Sequence, residues 1–132
     1  MNAHPPLRVM LVDDSRTIRK TGEVMLTKAG CEVLCAVDGF ECLGRALDFK
    51  PDLIFVDVLM PRLNGYQTCQ LIRNRDSFKS VPVVMLSSKD GLFDIALGKK
   101  HGATDYITKP FTQTDLIAAV MKHCPKFQPI VS

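Results

Sequence analysis

The sequence has 132 residues, of which 46% are apolar and 23% are charged. This length fits one domain, and the composition is that of a folded chain rather than a disordered one. The net charge of +3 is too small, and the basic residues too dispersed, to indicate a nucleic-acid partner. No apolar run approaches the roughly 20 residues of a membrane span, and residues 1–6 lack the features of a signal peptide. We therefore expect a cytoplasmic protein that neither inserts into membranes nor binds nucleic acid.

The cysteines are five in number and form no C-x-x-C motif. A zinc site needs four ligands at close spacing, and the three histidines do not complete one. We expect reduced thiols that pack as small hydrophobic side chains. These cysteines are Cys31, Cys35, Cys42, Cys69 and Cys124.

Short apolar segments alternate with segments of helical pattern along the chain. The first apolar segment, 7–12, precedes a predicted helix over 15–29 that stops at Gly30. All the apolar segments are rich in valine, isoleucine and leucine with little polar alternation, which is typical of strands buried on both faces of a parallel sheet. The other four lie at 31–37, 52–58, 81–86 and 103–108.

Four further helices are predicted, each beginning at a residue that can cap a helix N-terminus. Asp38 with Glu41, three residues on, has the pattern of a capping box. Strand–helix alternation repeated five times predicts an α/β domain over 7–124, with a parallel sheet covered by helices on both faces. Residues 1–6 are expected to form a flexible N-terminus and 125–132 a loose C-terminal tail. These helices begin at Asp38, Asn64, Asp90 and Thr112, and end before Pro51 and near Arg73, Gly102 and Cys124.

Polar residues follow four of the predicted strands. Asp13 and Asp14 follow the first strand, Asp57 ends the third, Ser87 ends the fourth and Lys109 follows the fifth. Since ligands bind at the carboxyl ends of strands in open parallel sheets, we expect these groups to converge. Each also has a plain structural explanation, such as a helix cap, a loop aspartate or a surface lysine. Their conjunction at four strand ends favours a site.

The residue types at the predicted site indicate that it binds a metal ion and a phosphoryl group. Three crowded carboxylates need a cation, and oxygen ligands suit a hard ion such as Mg²⁺. Together with the ammonium of Lys109 and the hydroxyl of Ser87, the ion would cradle the oxygens of a phosphoryl group in transfer. Asp57, a lone acid at the end of an apolar run, is the best placed to act as the nucleophile.

Four segments of the sequence resemble the receiver domain of two-component response regulators, in the order and spacing of that family. The resemblance implies a flavodoxin-like (βα)5 fold with strand order 2-1-3-4-5. It also implies a signalling protein rather than an enzyme, which takes a phosphoryl group from a histidine kinase. The segments are VMLVDDS at 9–15, DVLMPRLNGY at 57–66, MLSS at 85–88 and DYITKPF at 105–111.

The family pattern assigns roles to the acidic residues. It implies that Asp57 is the phosphoacceptor and also a metal ligand. Asp14 would bind Mg²⁺ directly and Asp13 chiefly through water, and the backbone carbonyl of Leu59 would complete the protein ligands.

The family pattern also implies a switch. Ser87 would bond the phosphoryl group and move on activation, while Lys109 would contact the same group across a cis bond to Pro110. Tyr106 would turn inward when Ser87 moves. The change would be read on a face formed by the fourth predicted helix, the fifth strand and the fifth helix, through contacts with another protein.

A narrower resemblance concerns Phe40 and the segments 61–69 and 87–94, which are similar to receivers that control twitching motility by type IV pili. It implies a chemotaxis-like histidine kinase as the phosphodonor and a pilus or motility protein as the output partner. We expect the receiver to be a monomer.

Several alternatives can be weighed against this interpretation. An aspartate-based phosphohydrolase would need a second acid where Leu59 stands. A flavin- or nucleotide-binding module would need a glycine-rich loop after the first strand, where Asp13 and Asp14 lie. A DNA-binding regulator would need a helix-turn-helix, for which the stretch after residue 124 is too short. A receiver that only drains phosphate from the kinase has the same site and stays open as an alternative.

Overall fold

A computed structural model of the chain describes residues 6–60, 62–88 and 100–130. All the strand pairs are parallel, and the strand order is 2-1-3-4-5. The fold class and strand order predicted from the sequence are therefore confirmed. The five strands are β1 (Arg8–Val12), β2 (Glu32–Ala36), β3 (Leu53–Asp57), β4 (Val83–Ser87) and β5 (Asp105–Thr108).

Four α-helices lie within the described ranges, and none of them is long and apolar enough to cross a membrane. They correspond to the first, second, third and fifth helices predicted from the sequence. The fourth predicted helix falls on 90–102 and lies almost entirely outside the described residues, as does its share of the predicted output face. The helices are α1 (Arg16–Lys28), α2 (Gly39–Phe49), α3 (Gly65–Arg73) and α4 (Gln113–His123), and a 3-10 turn spans Asp76–Phe78.

The capping predictions can be checked at the helix N-termini. Thr112 and Asn64 cap α4 and α3, each within a full capping box. Asp38 caps α2, but its predicted capping box is wrong in one half, because Glu41 accepts from the N–H of Val37 instead of that of Asp38. The φ angle of Asp38 is −158°, against −74° at Asn64, which turns the capping residue's own N–H away from the helix.

Two hydrophobic clusters cover the two faces of the sheet. Met10 and Ile54 belong to the cluster beneath α2 and α3, which we call the α2/α3 core. Leu11 and Phe55 belong to the cluster beneath α1 and α4. Since successive residues of one strand point to opposite faces, both sets of side chains are buried. This explains why the strands lack polar alternation in the sequence.

The C-terminal tail packs against the domain in its described part. Phe127 contacts the cluster beneath α1 and α4. The N–H of Ile130 donates to the carbonyl of Ala29 at the end of α1, over 2.8 Å. The tail is therefore attached to the domain as far as residue 130 rather than loose.

All five cysteines are free thiols. Burial raises the pKa of Cys31, Cys35 and Cys69 to about 11 and that of Cys42 to about 12. These thiols stay protonated at neutral pH, which fits the expectation of small hydrophobic side chains.

Gly44 offers a test of helix energetics. It lies within α2 on the exposed side, and a Cβ added there would meet nothing within 4 Å. We expect Gly44→Ala to raise the free energy of unfolding by about 0.5–1 kcal/mol in urea denaturation. Gly22 in α1 is the matched control, because a Cβ there would collide with the Leu11 side chain, so Gly22→Ala should destabilise the protein. A Gly44→Ala variant no more stable than the wild type would contradict this prediction.

Candidate functional site

Three carboxylates meet at the carboxyl end of the sheet. Asp13 and Asp14 directly follow β1, and Asp57 is the last residue of β3, the neighbouring strand. One carboxylate oxygen from each lies within 4.8 Å of the others. Asp13 is fully buried and Asp57 is 4% exposed, whereas Asp14 is exposed, so the cluster reaches solvent on the Asp14 side.

Hydrogen bonds hold both the backbone and the carboxylate of Asp13. Its N–H donates to the carbonyl of Ala36 over 3.1 Å, and its own carbonyl accepts from Arg19 over 2.8 Å. Its carboxylate Oδ1 accepts from the N–H of Ser15 over 2.9 Å. Ser15 itself supplies the cap of α1. The cap of this helix is therefore Ser15, and not Asp13 or Asp14.

Lys109 supplies a positive charge to the cluster. Its ammonium lies 3.1 Å from Asp13 Oδ2 and 3.0 Å from Asp57 Oδ1. Burial by itself lowers the pKa of Lys109, but the hydrogen bond to Asp57 and the charge of Asp13 outweigh burial, so its pKa is raised. The side chain therefore stays charged at neutral pH.

Asp57 has a raised pKa. Burial is the main cause, the hydrogen bond from Lys109 acts in the opposite direction, and the charge of Asp13 raises the pKa further. By formal charge, three carboxylate side chains beside one ammonium give the cluster an excess of two negative charges. A divalent cation would match this charge, and a donor set made only of oxygens suits Mg²⁺.

Ser87 and Leu59 lie beside the carboxylates. Ser87 ends β4 and is 1% exposed. Its backbone carbonyl accepts a hydrogen bond from the N–H of Lys109. The N–H of Leu59 hydrogen-bonds to the Asp57 carboxylate, and the Leu59 side chain is 70% exposed. The structure thus brings all the predicted phosphoryl and metal residues to one end of the sheet: Asp13, Asp14, Asp57, Leu59, Ser87 and Lys109. The Leu59 carbonyl as a metal ligand stays a prediction.

Tyr106, the predicted switch residue, is the second residue of β5 and is half-buried. It packs against the α2/α3 core, and its hydroxyl lies 3.2 Å from that of Tyr66. The bond between Lys109 and Pro110 is cis, as the family resemblance implied.

Two residues near the site were missed from the sequence. Arg62, in the loop after β3, donates to the Asp38 carboxylate over 2.6 Å and lies 5.4 Å from the Phe40 ring centre. Gly65 begins α3, and a Cβ there would collide with the backbone carbonyl of Asp57. The local sequence pattern indicated Gly65 only as part of a helix start. Nothing in the local sequence indicated the contacts of Arg62.

Residues 9–121 match the family model of the response regulator receiver domain. The chain belongs to the response regulator receiver family. This confirms the family predicted from the sequence. The receiver is 55% identical to Protein PilG of Pseudomonas aeruginosa over 124 residues, which cover 94% of this chain and 92% of PilG.

Solved receiver structures share the fold. Chemotaxis protein CheY4 of Vibrio cholerae is 33% identical and superimposes with a TM-score of 0.87, over 89% of this receiver and 98% of CheY4. The receiver domain of a signal transduction histidine kinase from Syntrophus aciditrophicus is 27% identical, with a TM-score of 0.82, over 95% and 96% of the two chains. Receivers of this shape therefore occur both as chemotaxis proteins and as parts of kinases.

Proposed function

We propose that this receiver is a response regulator whose Asp57 accepts a phosphoryl group from a histidine kinase in a Mg²⁺-dependent reaction. The observation that carries the proposal is the gathering of three carboxylates around the ammonium of Lys109 at the carboxyl end of the sheet. This arrangement combines a buried nucleophile with a fixed positive charge and a ligand set for a divalent ion.

The metal would be held directly by the carboxylates of Asp14 and Asp57 and the carbonyl of Leu59, and by the carboxylate of Asp13 chiefly through water. When bound, it would neutralise negative charge on the phosphoryl oxygens during transfer. The buried position of Asp13 and its contact with Lys109 support a fixed orientation of this carboxylate.

In the transfer, a carboxylate oxygen of Asp57 forms a bond to phosphorus, and the bond between phosphorus and the donor histidine breaks. The electron pair of that bond returns to the imidazole of the donor. Lys109 keeps its charge at neutral pH and would donate to the phosphoryl oxygens, as would the hydroxyl of Ser87. The receiver thus assists only its own phosphorylation and dephosphorylation and does not turn over a separate substrate.

We propose that the biological output of this receiver is control of twitching motility by type IV pili. The phosphodonor would be a chemotaxis-like histidine kinase, and the output partner a pilus or motility protein. We propose a monomer in the cytoplasm, without nucleic-acid contact, that signals through β5, α4 and the helix predicted over 90–102. The 55% identity to PilG supports this assignment.

Phosphotransfer from candidate chemotaxis-like kinases tests the proposal. Wild type should acquire label with Mg²⁺ and not with a chelator, and Asp57→Asn should acquire none. Asp48→Asn is the matched control, because Asp48 is an exposed aspartate of α2, and it should behave as wild type. Label retained on Asp57→Asn, or transfer without metal, would overturn the proposal.

Leu59 gives a prediction about the lifetime of the phosphoryl group. Its exposed side chain lies two residues after Asp57, where the family pattern places a group over the phosphoryl oxygens. An aliphatic side chain cannot hydrogen-bond an attacking water. We expect Leu59→Asn to shorten the half-life of the aspartyl phosphate several-fold, measured as loss of label after the donor is removed. Leu59→Met should keep the wild-type half-life, and an unchanged or longer half-life in Leu59→Asn would sink the idea.

A further inference from the structure

One side of α3 faces the segment that leads into β5. Tyr66, Gln70 and Arg73 are spaced four and three residues apart, which places them on the same side of the helix. The Tyr66 hydroxyl lies 3.2 Å from that of Tyr106. The amide oxygen of Gln70 lies 3.1 Å from His101 Nδ1.

Further contacts attach the same segment to α3. The Tyr66 ring lies 5.8 Å from the ring of His101, centre to centre. Arg73 donates to the carbonyl of Gly102 over 2.8 Å and to the hydroxyl of Thr104 over 3.0 Å. The position of residues 101–106 therefore depends on the position of α3.

The N-terminus of α3 touches the phosphoacceptor. The N–H of Gly65 donates to the carbonyl of Val58 over 3.0 Å, directly after Asp57. A Cβ at Gly65 would collide with the Asp57 carbonyl, so helix and strand are in direct contact. Tyr66 is the next residue along the chain. Tyr66, whose hydroxyl contacts that of Tyr106, is therefore one residue away from the contact between Gly65 and the backbone of the site.

We infer that the half-buried position of Tyr106 against the α2/α3 core is its inward position, and that Tyr66 is a positioning residue of the switch whose hydroxyl holds Tyr106 there. The inference rests on the proposed function, since it gives Tyr106 the switching role. Tyr106 is half-buried in that position and packs against the same cluster as Tyr66. The hydrogen bond to Tyr66 adds to the other interactions of Tyr106, and one bond of ordinary strength shifts a two-state equilibrium by about two- to tenfold.

The chain suits a spectroscopic test, because it contains two tyrosines and no tryptophan. The two tyrosines are the pair in question, so protein labelled with 3-fluorotyrosine should give two fluorine resonances. Tyr66→Phe and Tyr106→Phe would assign them. The change in the Tyr106 resonance between H₂O and D₂O reports the exposure of its ring to solvent. Beryllofluoride with Mg²⁺ serves as the phosphoryl mimic, and its bound form has a fluorine signal of its own.

We expect beryllofluoride to reduce the solvent exposure of Tyr106 in the wild type. In Tyr66→Phe, which keeps the ring, Tyr106 should be more exposed without the mimic. The concentration of beryllofluoride that gives half of the change should rise about two- to tenfold. A Tyr106 resonance with unchanged exposure and an unchanged midpoint in Tyr66→Phe would overturn the inference.

The bound-beryllofluoride signal separates the two possible failures. It should appear in wild type and in Tyr66→Phe, and be absent from Asp57→Asn. Its absence from the wild type would overturn the proposed function and this inference with it. Its presence, together with a Tyr106 that does not respond to Tyr66→Phe, would overturn the inference alone.

Discussion

Replacing Lys109 with methionine should slow phosphoryl transfer to Asp57 by about 10²–10³-fold, the usual effect of removing one preorganised donor from a site where charge develops. Its ammonium touches both Asp13 and Asp57, and its side chain is only 17% exposed. The rate of label incorporation at fixed donor and Mg²⁺ concentrations measures the effect.

Lys122→Met is the control for Lys109→Met. The Lys122 ammonium pairs with Asp105 over 3.2 Å, but its side chain is 67% exposed, and exposed pairs contribute little. This variant should keep the wild-type rate. Mg²⁺ should bind Lys109→Met at least as tightly as wild type, because a competing positive charge has been removed. A Lys109→Met rate within a few-fold of wild type, or a loss of Mg²⁺ binding that explains the slower rate, would contradict the role given to Lys109.

Arg73→Met should cost about 2–4 kcal/mol of stability, since hydrogen bonds from a charged donor contribute roughly 1.5–3 kcal/mol each and do not add fully. Arg73 ends α3 and joins three parts of the chain. It donates to the carbonyls of Phe78 and Val81 before β4, over 3.0 and 2.6 Å. It also donates to Gly102 and Thr104 before β5. Urea denaturation of the variant measures the loss.

Arg75 provides the comparison for Arg73. It has the same charge, lies two residues further on and is exposed. Arg75→Met should therefore change the stability by no more than about 0.5 kcal/mol, as is usual for surface substitutions. A loss below about 1 kcal/mol in Arg73→Met, or equal losses in the two variants, would show that the hydrogen bonds of Arg73 are not what joins these segments.

The strands were predictable because a strand buried on both faces has apolar residues with little polar alternation. The predicted segment 52–58 differs from β3, Leu53–Asp57, by one residue at each end. Helix starts were predictable where the cap is local, as at Asn64 and Thr112. The partner of Glu41 was not, because it depends on the φ angle of Asp38, which the local pattern does not determine.

The gathering of the site residues was predictable for a topological reason. Parallel strands bring their carboxyl ends to one edge, so Asp13 and Asp57 were expected at the same edge once the sheet was inferred. No comparable topological rule predicts the contacts between helices and loops. The Arg62–Asp38 pair spans 24 residues, and the Tyr66–Tyr106 pair spans 40. Both depend on how α2 and α3 lie on the sheet, which needs coordinates.

Chemical mapping of the phosphorylated residue is the most direct test of Asp57 as the acceptor at a metal site. Borohydride reduces an aspartyl phosphate to homoserine, which mass spectrometry of a digest can locate. After phosphorylation with Mg²⁺ present, we expect homoserine at position 57 and at no other acidic residue, and none when the metal is chelated. Homoserine at Asp13 or Asp14, or at position 57 without metal, would contradict the central claim.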